Sequence, residues 1–162
     1  MKRDLVTLCV TVVVILLQMT VVPIITDYNI MLPLVYFAGL IIYSPFRTIL
    51  INAFVIGVMQ DNMAVGMYGF HIFTILFLAY VSVVIKDNVG IEEGYFPFAM
   101  TAAFLTIYNI IFVIWCLVLG YGVFSWLGLI AKTFVEIIVS LIFVYPFTRL
   151  AMKLDNIFDT DA

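Results

Sequence analysis

From Tyr95 to Ala131 the chain runs 37 residues without a charged side chain. A single helix needs about 20 apolar residues to cross the hydrocarbon of a bilayer. The stretch is therefore too long for one crossing and too apolar for a water-soluble fold. Gly120-Tyr121-Gly122 is its natural break, because glycine is a poor helix former and admits a turn. Two spans are predicted here, over residues 97–119 and 124–147.

The same reasoning divides the rest of the chain. An apolar stretch over 5–25 is closed by Asp27, Tyr28 and Asn29. A run over 30–43 ends at Ser44-Pro45-Phe46-Arg47, one over 48–60 stops at Asp61-Asn62, and one over 67–85 stops at Lys86-Asp87-Asn88. A polar loop with Glu92 and Glu93 precedes the long uncharged stretch, and a polar tail covers 149–162. The runs over 30–43 and 48–60 are short, so they read either as short or tilted spans or as one re-entrant hairpin. Lys2 and Arg3 resemble the positive start of a secretory signal, but a signal's apolar core is about 7–15 residues. The longer run at 5–25 reads as a retained first span.

Orientation tests the count. With six spans, Lys2, Arg3, Arg47, Lys86, Arg149 and Lys153 all fall on the side of the termini. The turns at 27–29, 61–66 and 120–122 hold no Lys or Arg, as the positive-inside rule requires. Five spans would strand Arg149 and Lys153 outside. The expected fold is an all-α polytopic membrane protein: one integral domain over 1–162, six short transmembrane helices, both termini cytoplasmic. Composition agrees, since 66% of the 162 residues are hydrophobic and 10% charged, against about 25% charged in soluble domains. Aromatic residues such as Tyr28, Tyr43, Tyr95, Trp126 and Tyr145 fall near span ends, where amphipathic rings prefer the headgroup zone.

Several functions are disfavoured. A net charge of −3 argues against a nucleic-acid partner, which calls for a basic face. Cys9 and Cys116 each sit in an apolar run and read as buried structural thiols. With one histidine and two separated cysteines, no metal site or cofactor is expected. The loops leave no room for a soluble domain or a phosphate-binding loop. No nucleophile–base pair or carboxylate pair suggests an enzyme.

The polar residues inside spans need an account. Lys132 and Glu136 are four residues apart and share a helix face, with Ser140 continuing the stripe. A lone charge at mid-bilayer costs about 3 kcal/mol on insertion scales, so mutual pairing is expected, with snorkelling of Lys132 toward the outer surface as the alternative. Asp61 and Asn62 read as a solvated turn. Alternatively, Asp61 faces the interior, capping the next helix or pairing with His71 or Lys132. Asn52, Asn109 and Gln18 are single amides that suit interhelical hydrogen bonds, and Ala53 with Gly57 makes a small-xxx-small face permitting close helix approach. Pro23, Pro45, Pro97 and Pro146 fall near predicted span ends, where a missing N–H is easily tolerated.

Gly57-Val-Met-Gln-Asp61, then Gly66-Met-Tyr-Gly69-Phe70-His71, then Ala79-Tyr80 form a pattern: an apolar helix with glycine, aspartate four residues on, a glycine-bearing turn, and a Gly-apolar-His helix start. Tyr145-Pro146-Phe147 with Met152-Lys153 adds an aromatic-Pro-aromatic run followed by a basic residue. On these residues the chain resembles the MreD family of rod shape-determining membrane proteins, with Val65 and Met67 departing from the Gly and Pro of many members. The resemblance covers about 30–40 residues by motif and most of the chain by layout. It implies a non-enzymatic subunit of the bacterial elongation complex. Its partners would be MreC, the actin-like MreB, the RodA glycosyltransferase and a penicillin-binding transpeptidase, directing lateral peptidoglycan synthesis and cell shape. It also implies a fold similar to the S-components of energy-coupling-factor transporters. A substrate-binding subunit of such a transporter is therefore the alternative, with Asp61, Asn62, His71 and Lys132 as its plausible lining. A channel would require a continuous polar face on several spans, and only the sixth span has part of one.

Overall fold

The computed structural model describes residues 2–20, 22, 31–63, 69–88, 95–120 and 126–159. Among them the chain is all-helical: α1 Lys2–Thr20, α2 Leu32–Tyr43, α3 Phe46–Met63, α4 Phe70–Asn88, α5 Phe96–Val118 and α6 Trp126–Asp159. Three stretches are long and apolar enough to cross a membrane: Arg3–Thr20, Phe96–Val118 and Ile130–Ile157. Leu32–Tyr43 and Phe70–Lys86 are shorter apolar helices.

Local sequence explains the breaks. Pro33 and Pro97 stand in the first turns of α2 and α5, where the fixed proline φ suits a helix and no N–H is missed. Ser44 is extended (φ −104°, ψ 152°), as a residue before proline tends to be. Its N–H caps α2 on the Leu40 carbonyl at 2.8 Å, and α3 restarts directly after Pro45. Gly120 closes α5 at φ +74°, a left-handed conformation that only glycine adopts without strain.

The short helix α2 is the centre of the bundle and touches all five other helices. Every residue from Leu32 to Ile42 is buried. A helix apolar all round belongs inside protein rather than at a surface, which is how a 12-residue helix has a place in a fold of longer ones. Around it, α3 and α4 pack most extensively on each other, and α6 lies along α2 and α5. Gly39 of α2 faces α6, where a Cβ would sit 3.4 Å from Ala151 Cβ and from the Phe147 carbonyl, in ordinary contact.

The outer surface is apolar. Phe73, Phe77, Ile114, Leu127, Phe134 and Ile142 are all exposed, a pattern compatible with hydrocarbon surroundings.

Side-chain contacts tie five helix ends together. The Arg3 guanidinium donates to the Tyr43 carbonyl at 2.6 Å and pairs with Asp155. Thr48 Oγ1 donates to Asp4 at 2.7 Å. Lys86 Nζ donates to the Ile41 and Ile42 carbonyls at 2.9 and 2.8 Å, capping the negative end of α2. The start of α1, the ends of α2, α4 and α6 and the start of α3 thus share one end of the bundle. Arg3, Arg47, Lys86 and Lys153 gather there.

One expectation is corrected, and one helix outlasts its predicted span. The helix that carries the span predicted over 124–147 continues to Asp159, since the end of an apolar run need not be where hydrogen bonding stops. Pro146, near the end of that predicted span, is accordingly inside a helix. Cys9 is exposed on α1, whereas Cys116 is buried; an apolar run in a membrane protein does not tell the lipid-facing side from the packed one. The end of the first predicted span, beyond residue 22, lies outside the described residues.

Candidate functional site: two buried polar clusters

The α3–α4 joint begins with a stripe at four-residue spacing, Ala53, Gly57 and Asp61, all buried. Gly57 lets the two backbones meet: a Cβ on it would lie 2.5 Å from Ile72 Cα. One turn further, Asp61 receives the start of α4. Its Oδ2 accepts from the Gly69 and Ile72 N–H groups at 3.0 and 3.2 Å, and its Oδ1 from the His71 N–H at 2.9 Å. His71 Nδ1 lies 2.8 Å from the same Oδ1; facing a carboxylate oxygen, it serves as the donor. First-turn N–H groups have no partner within their own helix, so Asp61 acts as an N-cap supplied from the neighbouring helix. Gly69 makes the entry possible at φ +85°.

Aromatic rings enclose this joint. Phe70 meets His71, Tyr108, Phe112 and Trp115 with ring centroids 5.1–5.8 Å apart. The start of α4 is thereby held against the second half of α5, and the cluster sits at the end of the bundle opposite Arg3 and Lys86.

The second cluster joins α5 to α6. Glu136 is 4% exposed and accepts a hydrogen bond from Asn109 Nδ2 at 3.1 Å. Lys132 Nζ stands 3.6 Å from the other carboxylate oxygen, with its side chain half exposed. Ser140, next on the same face, is fully buried, and its hydroxyl has no hydrogen-bond partner among the described residues. Both expected relations hold: Lys132 faces Glu136, and Asn109 bridges two helices.

Not every candidate joins a cluster. Asn62 is exposed and bonds back to the Val58 carbonyl at 2.9 Å. Pro146 is exposed on α6, with its neighbour Phe147 edge-on to Tyr36 at 5.9 Å, away from the Asp61 joint. Gly66 lies outside the described residues. Asp61 pairs with His71 and not with Lys132.

A third polar group lies between α1 and α3, where Asn52 makes the interhelical hydrogen bonds expected of it with partners on α1 that the sequence reading did not name. Asn52 is fully buried; it accepts from Thr11 and donates to Thr7 Oγ1 and the Thr48 carbonyl. Asp4, Thr7 and Thr11 lie on one face of α1, and that i, i+3, i+7 spacing in an apolar helix was the available signal.

A charge-selective test follows. Glu136→Gln keeps an acceptor for Asn109 while removing the charge opposite Lys132. It should lower both accumulation in membranes and the thermal midpoint in detergent, and adding Lys132→Met should restore part of the loss. A half-exposed pair sets the coupling at about 0.2–1 kcal/mol. Equal defects in the single and double variants would contradict the pairing.

Among the described residues, no three His, Cys, Asp or Glu side chains converge on a point where a metal ion would sit. Comparison with protein-family models, with curated proteins and with solved structures gives no match.

Proposed function

We propose that the chain is a non-enzymatic, multi-pass subunit of the bacterial rod-shape complex in the inner membrane. On this reading it binds MreC and, with MreB, RodA and a penicillin-binding transpeptidase, helps organise lateral peptidoglycan synthesis. The observation that carries the reading is the convergence of Gly57, Asp61, Gly69 and His71, four residues bearing the MreD resemblance, on one helix joint. They serve assembly rather than chemistry, since both Asp61 oxygens are occupied by N–H donors. A scaffold calls for such a joint together with broad apolar helix faces for neighbouring spans, and α5 and α6 offer those faces. The clustering of Arg3, Arg47, Lys86 and Lys153 at one end of the bundle supports placing that end, with both termini, in the cytoplasm.

Two measurements test this. Reporters fused after Lys86 and after Lys153 should both read cytoplasmic; a periplasmic signal at Lys153 would restore a five-span topology. Depletion of the protein from a rod-shaped host should yield round cells that recover when the chain is supplied again. Unchanged rods would contradict the assignment.

The transporter-subunit alternative has one observation in its favour, a cavity of about 330 Å³ between α5 and α6. Its lining includes none of Asp61, Asn62, His71 and Lys132, the residues that reading would need.

A further inference from the structure

The second half of α6 carries a face that the bundle leaves open. Ile138, Ile142, Tyr145, Arg149 and Lys153 recur every three or four residues, so they share about 80° of arc on one side of the helix. All five are exposed. The face changes character once along its length, from apolar at Ile138 and Ile142 to cationic at Arg149 and Lys153, with Tyr145 at the change.

The Arg149 guanidinium is held in place. Its Nε donates to the Tyr145 hydroxyl at 3.2 Å, and its central carbon stands 5.3 Å from the centroid of the same ring. Its two terminal amino groups have no partner among the described residues, so the planar fork that matches a phosphate stays open. Lys153, one turn on, makes no hydrogen bond or ion pair among those residues either. The neighbouring carboxylate does not neutralise the two cations: Asp155 lies nearly opposite Lys153 round the helix and pairs with Arg3.

Depth decides what satisfies both halves of the face. One leaflet is about half of a hydrocarbon core of about 30 Å. Ile142 and Ile138 precede Arg149 by 7 and 11 residues, which is about 10 and 16 Å deeper at 1.5 Å per residue. With Arg149 at the membrane boundary, the apolar part of the face covers one leaflet and the cations stand at its headgroup level. A neighbouring span would cover Ile138 and Ile142, but cytoplasmic span ends are rich in Lys and Arg and would repel the pair. A soluble acidic segment would meet the cations and leave the apolar part uncovered. The cytoplasmic leaflet is itself anionic, and a phospholipid presents phosphate and hydrocarbon in the order the face requires.

We propose that this face of α6 holds one anionic phospholipid of the cytoplasmic leaflet, its phosphate on Arg149 and Lys153 and one acyl chain along Tyr145, Ile142 and Ile138. Tyr145 is a positioning residue as well, since its ring and hydroxyl hold the guanidinium. The inference rests on the cytoplasmic placement of this end of α6 and is independent of the rod-shape assignment. A periplasmic reporter signal after Lys153 would remove that placement; the outcomes below bear on the site itself.

The test is native mass spectrometry of the purified full chain, titrated with phosphatidylglycerol or phosphatidylcholine of the same acyl chains. One phosphatidylglycerol should be retained about tenfold more tightly than phosphatidylcholine, the order expected for two cations at an anionic headgroup. Arg149→Gln combined with Lys153→Gln should abolish the preference without moving the thermal midpoint, because both side chains are exposed. Arg149→Lys, which keeps the charge but loses the fork, should keep part of it. Arg47→Gln removes another exposed cation from the same end of the bundle and should leave the preference as it was. Equal retention of the two lipids by the unaltered protein, or a preference untouched by the double substitution, would overturn the proposal. An equal loss on Arg47→Gln would do so too, by reducing the effect to diffuse surface charge. Displacement of the lipid by glycerol phosphate would mark a free-phosphate site, and displacement by polyglutamate an acidic-peptide site; either result overturns the lipid assignment.

Discussion

Asp61→Ala should destabilise the fold by about 3–5 kcal/mol, because several donors at the joint lose their acceptor at once, each worth about 1–3 kcal/mol when buried. The loss has two sources. Three first-turn N–H groups of α4 lose their acceptor, and a buried unsatisfied donor costs about 1–3 kcal/mol. His71 in addition loses the partner of its Nδ1. Asp61→Asn retains one oxygen acceptor and should lose roughly half as much, within the range of a helix cap, about 0.5–2 kcal/mol. Thermal midpoints in one detergent, read beside the amount of protein accumulated in membranes, give both values. If Asp61→Ala melts with the unaltered protein, the carboxylate does not hold the joint. Coupling between Asp61 and His71 is separable by a double-mutant cycle with His71→Ala.

The second large effect is at Gly57. Alanine would place its Cβ 2.5 Å from Ile72 Cα and 3.0 Å from Ile72 N. Both are main-chain atoms of a packed helix and cannot turn aside as a side chain can. Helix α3 must then move off α4, stretching the Asp61 cap one turn away. Overpacking of this kind costs about 1–3 kcal/mol, partly offset by the roughly 1 kcal/mol that alanine gains over glycine in a helix. Gly57→Ala should therefore destabilise, and Gly57→Leu should do so severely. Gly39→Ala is the internal control. Its Cβ would meet Ala151 Cβ, the Phe147 carbonyl and Thr148 Cα, all at 3.4 Å, so the substitution should be neutral or slightly stabilising. Opposite signs at the two glycines are the expected result; equal losses would show that helix propensity, not the close crossing, governs both.

Much of this geometry is legible in the residues themselves. Ser44-Pro45 and Gly120 mark breaks because proline and glycine restrict or free the backbone locally, and the structure breaks there. Lys132–Glu136 and Ala53–Gly57 are read from four-residue spacing, which a helix converts into proximity. The Asp61–His71 contact was one of several arrangements open to Asp61, and only tertiary packing chooses among them. Where spacing carries no information, reading fails. Arg3 and Asp155 are 152 positions apart, and no local pattern predicts that they meet. The central position of α2 and the exposure of Cys9 also depend on which helix faces which. In a membrane protein, lipid-facing and packed surfaces are both apolar, so the amphipathic signal that would separate them in water is faint. The extension of α6 to Asp159 escaped notice for a related reason: hydropathy reports the solvent, and the helix outlasts the membrane.

The rod-shape assignment is tested most directly by affinity capture of this protein from its native membranes in a gentle detergent, with partners identified by mass spectrometry. The account predicts co-recovery of MreC, RodA and the transpeptidase, diminished by Asp61→Ala in proportion to the protein that remains folded. Recovery instead of paired ATPases with a transmembrane coupling subunit would contradict it and make the chain a transporter component.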